Sequence, residues 1–153
     1  MPSEEELIEF QIKQQKHIEA SNNLFDKDPI KQKSAFNYLK KEAESGSAFS
    51  TGKVGWGYQL GLGVEADLNK AKELYTSAAE SGMTYWQFLL AHAYEQGYLG
   101  LQPSLELKKH WLNYKPKLHS GIYECWVKIY YEMGIFPINN DVYQQNKTIC
   151  LSS

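Results

Sequence analysis

Residues 43–82 read AESGSAFSTGKVGWGYQLGLGVEADLNKAKELYTSAAESG, a stretch that opens on Ala43-Glu44-Ser45-Gly46 and closes, thirty-six positions on, with the same four letters at Ala79-Glu80-Ser81-Gly82. A second pattern keeps that period: Tyr58-x-x-Gly61 returns as Tyr94-x-x-Gly97 after thirty-six residues and as Tyr131-x-x-Gly134 after thirty-seven. Two independent motifs on one repeat length mark a solenoid, whose units bury their apolar faces by stacking on their neighbours. The 153 residues are a single-domain length with room for about four such units.

Working outward, each unit reads as a pair of helices. Ser3 followed by Glu6 has the form of a capping box, and Leu7, Phe10, Ile12 and Ile18 recur at roughly helical spacing. A helix is expected from Glu4 to about Ala20, ended by Ser21-Asn22-Asn23. Asp28-Pro29 reads as an N-cap with Pro at the first helical position, opening a helix that carries Ile30, Ala35, Tyr38, Leu39 and Ala43 inward and stops at Gly46. Ser47 opens a helix to about Leu60, and after the Gly61-Leu62-Gly63-Val64 loop Asp67 caps a helix ending at Gly82. Thr84 to Gln96 repeats the first of these helices, and Ser104 to about Tyr114 the second, with Pro116 disturbing its last turn. Gly121 to Met133 is a further first-type helix, and Asp141 to Ile149 a short closing one. Nowhere does strand-like alternation appear. The expected fold is all-α: a right-handed α/α superhelix of about three helix-pair repeats plus a terminal half-repeat. It forms one domain over 1–153, with a capping pair at 3–46, repeats at 47–82 and 83–121, and a half-repeat and tail at 122–153.

Composition narrows the function. Net charge is −2, and all 16 basic residues are Lys. Without Arg the chain lacks the guanidinium fork used for bidentate base readout and phosphate clamping, so no nucleic-acid partner is expected. The Lys clusters at 31–41 and 108–117 read as solvated helix faces. The acidic start has no apolar segment of a signal peptide, and the apolar run from Trp86 to Tyr94 is too short to span a bilayer, so neither export nor a membrane is expected. A cytoplasmic location follows, with Cys125 and Cys150 as reduced thiols.

Aligned on Tyr58, the central unit reads Val54-Gly55-x-x-Tyr58-x-x-Gly61-x-Gly63-Val64, then Asp67-x-x-Lys70-Ala71, then Ala78-Ala79-x-x-Gly82. This resembles the Sel-one-like repeat, a relative of the tetratricopeptide repeat, whose pattern is an L-G-x-x-Y-x-x-G-x-G-V loop followed by D-x-x-K-A and A-A-x-x-G. The likeness runs from about Ala35 to Gly134 and is clearest at Ala48 to Gly82. It departs at Ala91, where the central unit has Gly55, at the Gly97-Tyr98-Leu99-Gly100-Leu101 loop, and at Lys128, a bulky charge that would be awkward inside a stack. The matching positions read as architecture: Gly55 for close helix approach, Tyr58 for the helix seam, Gly61 and Gly63 for the turn. What the resemblance implies is a protein-binding scaffold.

The candidate contact surface comes from helical geometry. If Ser50, Val54, Gly55, Tyr58 and Gly61 face inward, the other side of that helix carries Phe49, Lys53, Trp56 and Leu60. The repeat period then adds Tyr85, Leu89, His92 and Gln96, and next Ile122, Trp126, Ile129 and Met133. First helices of such pairs line a concave surface, so these twelve residues are the expected partner-binding face, unless packing between first helices consumes them. No catalytic, cofactor or metal site is expected. His17, His92, His110 and His119 lack zinc spacing, Cys125 has no nucleophile motif around it, Thr51-Gly52-Lys53 lies in a helix without a phosphate-loop frame, and Glu65 and Asp67 read as loop and cap. Two partner classes are expected. One is a bacterial toxin or effector for which the chain is the immunity protein, suggested by a compact chain without enzyme motifs. The other is a peptide or helix of a regulatory protein for which it is an adaptor; oligomeric state is left open.

Overall fold

The computed structural model describes residues 1–114 and 127–136, and among them every regular element is a helix. Helix α1 (Glu4–Asn23) starts from Ser3, whose hydroxyl accepts from the Glu6 amide while the Glu6 carboxylate accepts from the Ser3 amide. That reciprocal box satisfies donors the first turn would otherwise leave bare. Asp28 accepts from Ile30 N to open α2 (Pro29–Glu44), with Pro29 at the first helical position. Ser47, Asp67 and Ser104 cap α3 (Ala48–Leu60), α4 (Leu68–Glu80) and α6 (Leu105–Leu112) in the same way. Helix α5 (Thr84–Gln96) begins without a side-chain cap, and residues 127–132 are helical.

Both recurring motifs end helices with the same backbone. Gly46 and Gly82 have φ of 100° and 93°, while Gly61, Gly97 and Gly134 have φ of 69°, 74° and 75°. The sequence period is therefore a period of left-handed helix ends. It persists where the letters change: Leu99, one period after Gly63, holds φ 58° beside 74° for the glycine, a conformation that costs a non-glycine residue about 1–2 kcal/mol.

Successive helices pack in sequence order, α1 on α2, α2 on α3, and so on to α6. The centre of this array is α3, which is buried all round from Gly52 to Gly57. Three of its glycines are notches for rings from three other helices. A Cβ on Gly52 would lie 1.8 Å from the Trp86 indole of α5, one on Gly55 2.6 Å from the Tyr75 ring of α4, and one on Gly57 2.6 Å from the Phe36 ring of α2. Each ring sits directly on the α3 backbone. The Tyr75 hydroxyl donates to Gln59 Oε1 at 2.6 Å, and Gln59 in turn donates to the Ile135 carbonyl, tying α4 through α3 to the last described segment. Tyr58 stands edge-on to Phe36 in the α2–α3 seam, with the Lys70 ammonium over its ring.

Some expectations need correction. Helix α1 runs through Ser21-Asn22-Asn23 instead of ending there, because the Ser21 hydroxyl is satisfied within the helix on the His17 carbonyl and the next residue, Leu24, is fully buried. Ile30 is not carried inward: it is 80% exposed, at the first turn of α2. Helix α6 ends at Leu112, two residues short of Tyr114. Lys128 is accommodated half-buried because its ammonium reaches Glu132, one turn on, at 3.2 Å. Pro116, the helix start at Gly121 and the closing helix at 141–149 lie outside the described residues.

Gly52→Ala is expected to lower stability by about 2 kcal/mol or more, since the indole must leave its seat, although alanine is the better helix former. Asn37→Ala, on the exposed side of α2, is expected to be neutral or slightly stabilising. Urea denaturation followed by circular dichroism checks both.

Candidate functional site

The twelve residues expected to line a binding face fall into three groups. Trp56, Leu89, His92 and Lys53 are buried, with Trp56 only 7% exposed. Leu60, Tyr85, Gln96, Ile129 and Met133 are half-buried, and Phe49 is 50% exposed. Ile122 and Trp126 lie outside the described residues. The first helices are so close that their facing side chains meet each other. Trp56 stands edge-on to Phe25 and Tyr85 at 5.6 Å and lies against Trp86 at 5.9 Å. Tyr85 continues the seam to Tyr130, whose hydroxyl donates to the Tyr85 carbonyl at 2.7 Å. Such pairs add about 0.5–1.5 kcal/mol each beyond area burial. At Trp56, Leu89 and His92 the side chains are core.

His92 anchors the far end of that seam. Its ring is surrounded by Tyr98, Tyr131 and Phe136, and Nε2 lies 3.0 Å from the Tyr131 hydroxyl. Burial lowers its pKa to about 4; Glu95 opposes that shift and Lys108, paired with Glu95 at 2.8 Å, adds to it. His92 is therefore neutral near neutrality and packs as an aromatic ring.

Open surface appears at the other end of α3, where α1, the last turn of α2 and the first turns of α3 enclose a cleft of about 750 Å³. Its walls are Ile18, Tyr38 and Phe49 together with Lys13, Lys41, Lys53, His17 and Glu42. In its floor is a connected polar cluster. Lys53 Nζ lies 2.7 Å from His17 Nε2 and donates to Ser21 Oγ at 2.7 Å. His17 Nδ1 lies 2.9 Å from Glu42 Oε1, and the Ser50 hydroxyl donates to the same oxygen at 3.3 Å. An ammonium only donates, so it makes Nε2 the acceptor and places the imidazole hydrogen on Nδ1, where Glu42 receives it. Lys53 is 8% exposed, with its ammonium 4.8 Å from the centre of the Phe49 ring. Desolvation lowers its pKa to about 8, against the pull of Glu42. It therefore stays a cation at neutral pH while forgoing most of its hydration.

Sequence reasoning found Lys53 and Phe49 but missed His17, Ser21 and Glu42. The signal was available. His17 precedes Lys53 by one period of thirty-six, and the same shift carries Phe49 back to Lys13. Stepping the register toward the N-terminus as well as away from it places α1 beside α3. Among the described residues no cluster of His, Cys, Asp or Glu could hold a metal ion, and no helix is long and apolar enough to cross a membrane.

Over 56 residues, 37% of its length, the chain is 34% identical to a sel1-like repeat-containing protein of Acanthamoeba polyphaga mimivirus, of which it spans about 10%. No protein-family model and no solved structure matches.

Two expectations follow. Trp56→Ala should cost about 3–5 kcal/mol by opening a cavity in the seam, measured as a fall in the denaturation midpoint. His92 has a folded pKa below that of the unfolded chain, so its contribution is complete above about pH 6.5 and is lost as pH falls toward 4. The loss, of order 3 kcal/mol, should be absent in His92→Phe when stability is followed over that range.

Proposed function

We propose that the protein is a non-catalytic interaction module, which binds a segment of another protein in the cleft between α1, α2 and α3. One observation carries this. The first-helix surface is filled by its own side chains from Trp56 to His92, yet at the N-terminal end it opens into a walled cleft with half-exposed apolar groups beside a buried cation. Large apolar side chains next to fixed polar groups are the composition of protein-binding sites. The likeness to a sel1-like repeat-containing protein supports the same reading.

Of the two partner classes drawn from the sequence, a peptide or helix of a regulatory protein fits a cleft between helices. A bacterial toxin or effector, with the chain as its immunity protein, remains the narrower alternative, and no feature of the described residues favours it. The partner's identity decides between them.

The test is site-specific photocrosslinking in cells that encode the protein. A photoreactive side chain at Ile18, in the cleft, should yield one discrete protein adduct. The same group at Leu105, exposed on α6, should not. Adducts from Leu105 alone, or none from Ile18, would overturn the proposal.

A further inference from the structure

We infer that the cleft selects a partner segment in which an aspartate or glutamate stands beside a large apolar side chain, the carboxylate pairing with Lys53 and the apolar group with Phe49 and Ile18. This rests on the cleft being a protein-binding site and specifies what enters it.

Charge gives the first ground. Three lysines, from α1, α2 and α3, line the cleft against one carboxylate, Glu42, which His17 and Ser50 already engage. Lys53 is the one of the three that is buried, and no carboxylate lies within salt-bridge distance of it among the described residues. The groups in contact with its ammonium are the imidazole, the Ser21 hydroxyl and the Phe49 ring, and Glu42 stands behind the imidazole. A cation held this way has lost much of its hydration without an anion in direct contact, and an incoming carboxylate would supply one.

Geometry gives the second. His17 and Ser21, one helical turn apart on α1, fix the ammonium from one side, and Glu42 fixes His17 through its other ring nitrogen. The cation is thus positioned before any ligand arrives, which reduces the ordering cost of binding. Phe49 stands edge-on to both His17 and Trp86 and is half-exposed, with the Lys53 ammonium 4.8 Å from its ring centre, so an apolar group next to the bound carboxylate would meet that ring. Ile18 is 51% exposed across the cleft and supplies the opposite apolar wall.

The same features disfavour phosphate and nucleic acid. The chain has no Arg, a single buried ammonium matches one negative charge, and a dianion would also meet the field of Glu42.

The test is selection of a displayed library of random short peptides on the immobilised full chain, followed by fluorescence anisotropy on the enriched peptides. Enriched sequences should pair Asp or Glu with Leu, Ile, Phe or Trp. Replacing the acid by its amide should weaken binding on the order of a hundredfold, as should Lys53→Met. Lys41→Gln and Lys13→Gln, on the cleft rim, should weaken it about threefold and reduce its salt dependence. These two exposed variants keep the test decisive if Lys53→Met fails to fold. Peptides without an acidic residue, or affinity indifferent to Lys53 and to both rim lysines, would overturn the inference. So would an absence of enriched peptides; with an adduct at Ile18 in hand, either failure leaves the binding module standing and removes only its proposed selectivity.

Discussion

Three aromatic rings seated on one helix backbone set the rest of this molecule. Phe36, Tyr75 and Trp86 come from three different helices, and each occupies the volume that a side chain at Gly57, Gly55 or Gly52 would take. Glycine inside a helix costs about 1 kcal/mol relative to alanine, so α3 is a poor helix by itself. It exists because its neighbours press on it, and they gain close contact because it is thin. The units are thereby coupled, as in a stacked array where each repeat is completed by the next. Every position of α3 between Gly52 and Gly57 is buried as a result, and Lys53 goes inside with the rest.

A buried lysine demands polar company, and α1 supplies it. His17 and Ser21 occupy the α1 face beside α3, where further apolar packing would otherwise be expected, and Glu42 at the end of α2 completes the chain of hydrogen bonds. These polar groups lie where the cleft opens between the three helices, beside Ile18, Tyr38 and Phe49. At the opposite end of the same seam His92 is lodged among the rings of Tyr98, Tyr131 and Phe136, with the Tyr131 hydroxyl as its hydrogen-bond partner. Lys53 thus borders the cleft at one end of the first-helix surface, while His92 is core at the other.

Much of the fold was legible because its signals are local. Ser3, Asp28, Ser47, Asp67 and Ser104 each cap the helix that follows, and the glycines of both repeated motifs have the left-handed backbone that ends one. The proposed binding face was less legible. Helical periodicity separates two sides of α3, but whether a side is open depends on how near the next first helix lies, and that distance is set by Gly52 meeting Trp86 across a repeat. Trp56 looked like an anchor for a partner because tryptophan serves equally in cores and interfaces. The polar cluster was hidden for a different reason: its members come from α1, α2 and α3, and only the period of thirty-six between His17 and Lys53 joins members on different helices.

The central claim is that α3 is the enclosed hub of the array, and amide hydrogen exchange of the intact chain addresses it most directly. The amides from Gly52 to Gly57 should exchange only through global unfolding, with α5 nearly as slow and the first half of α1 fast. Rapid exchange within 52–57, at a rate comparable to α1, would show that the rings do not close on α3, and would contradict the account.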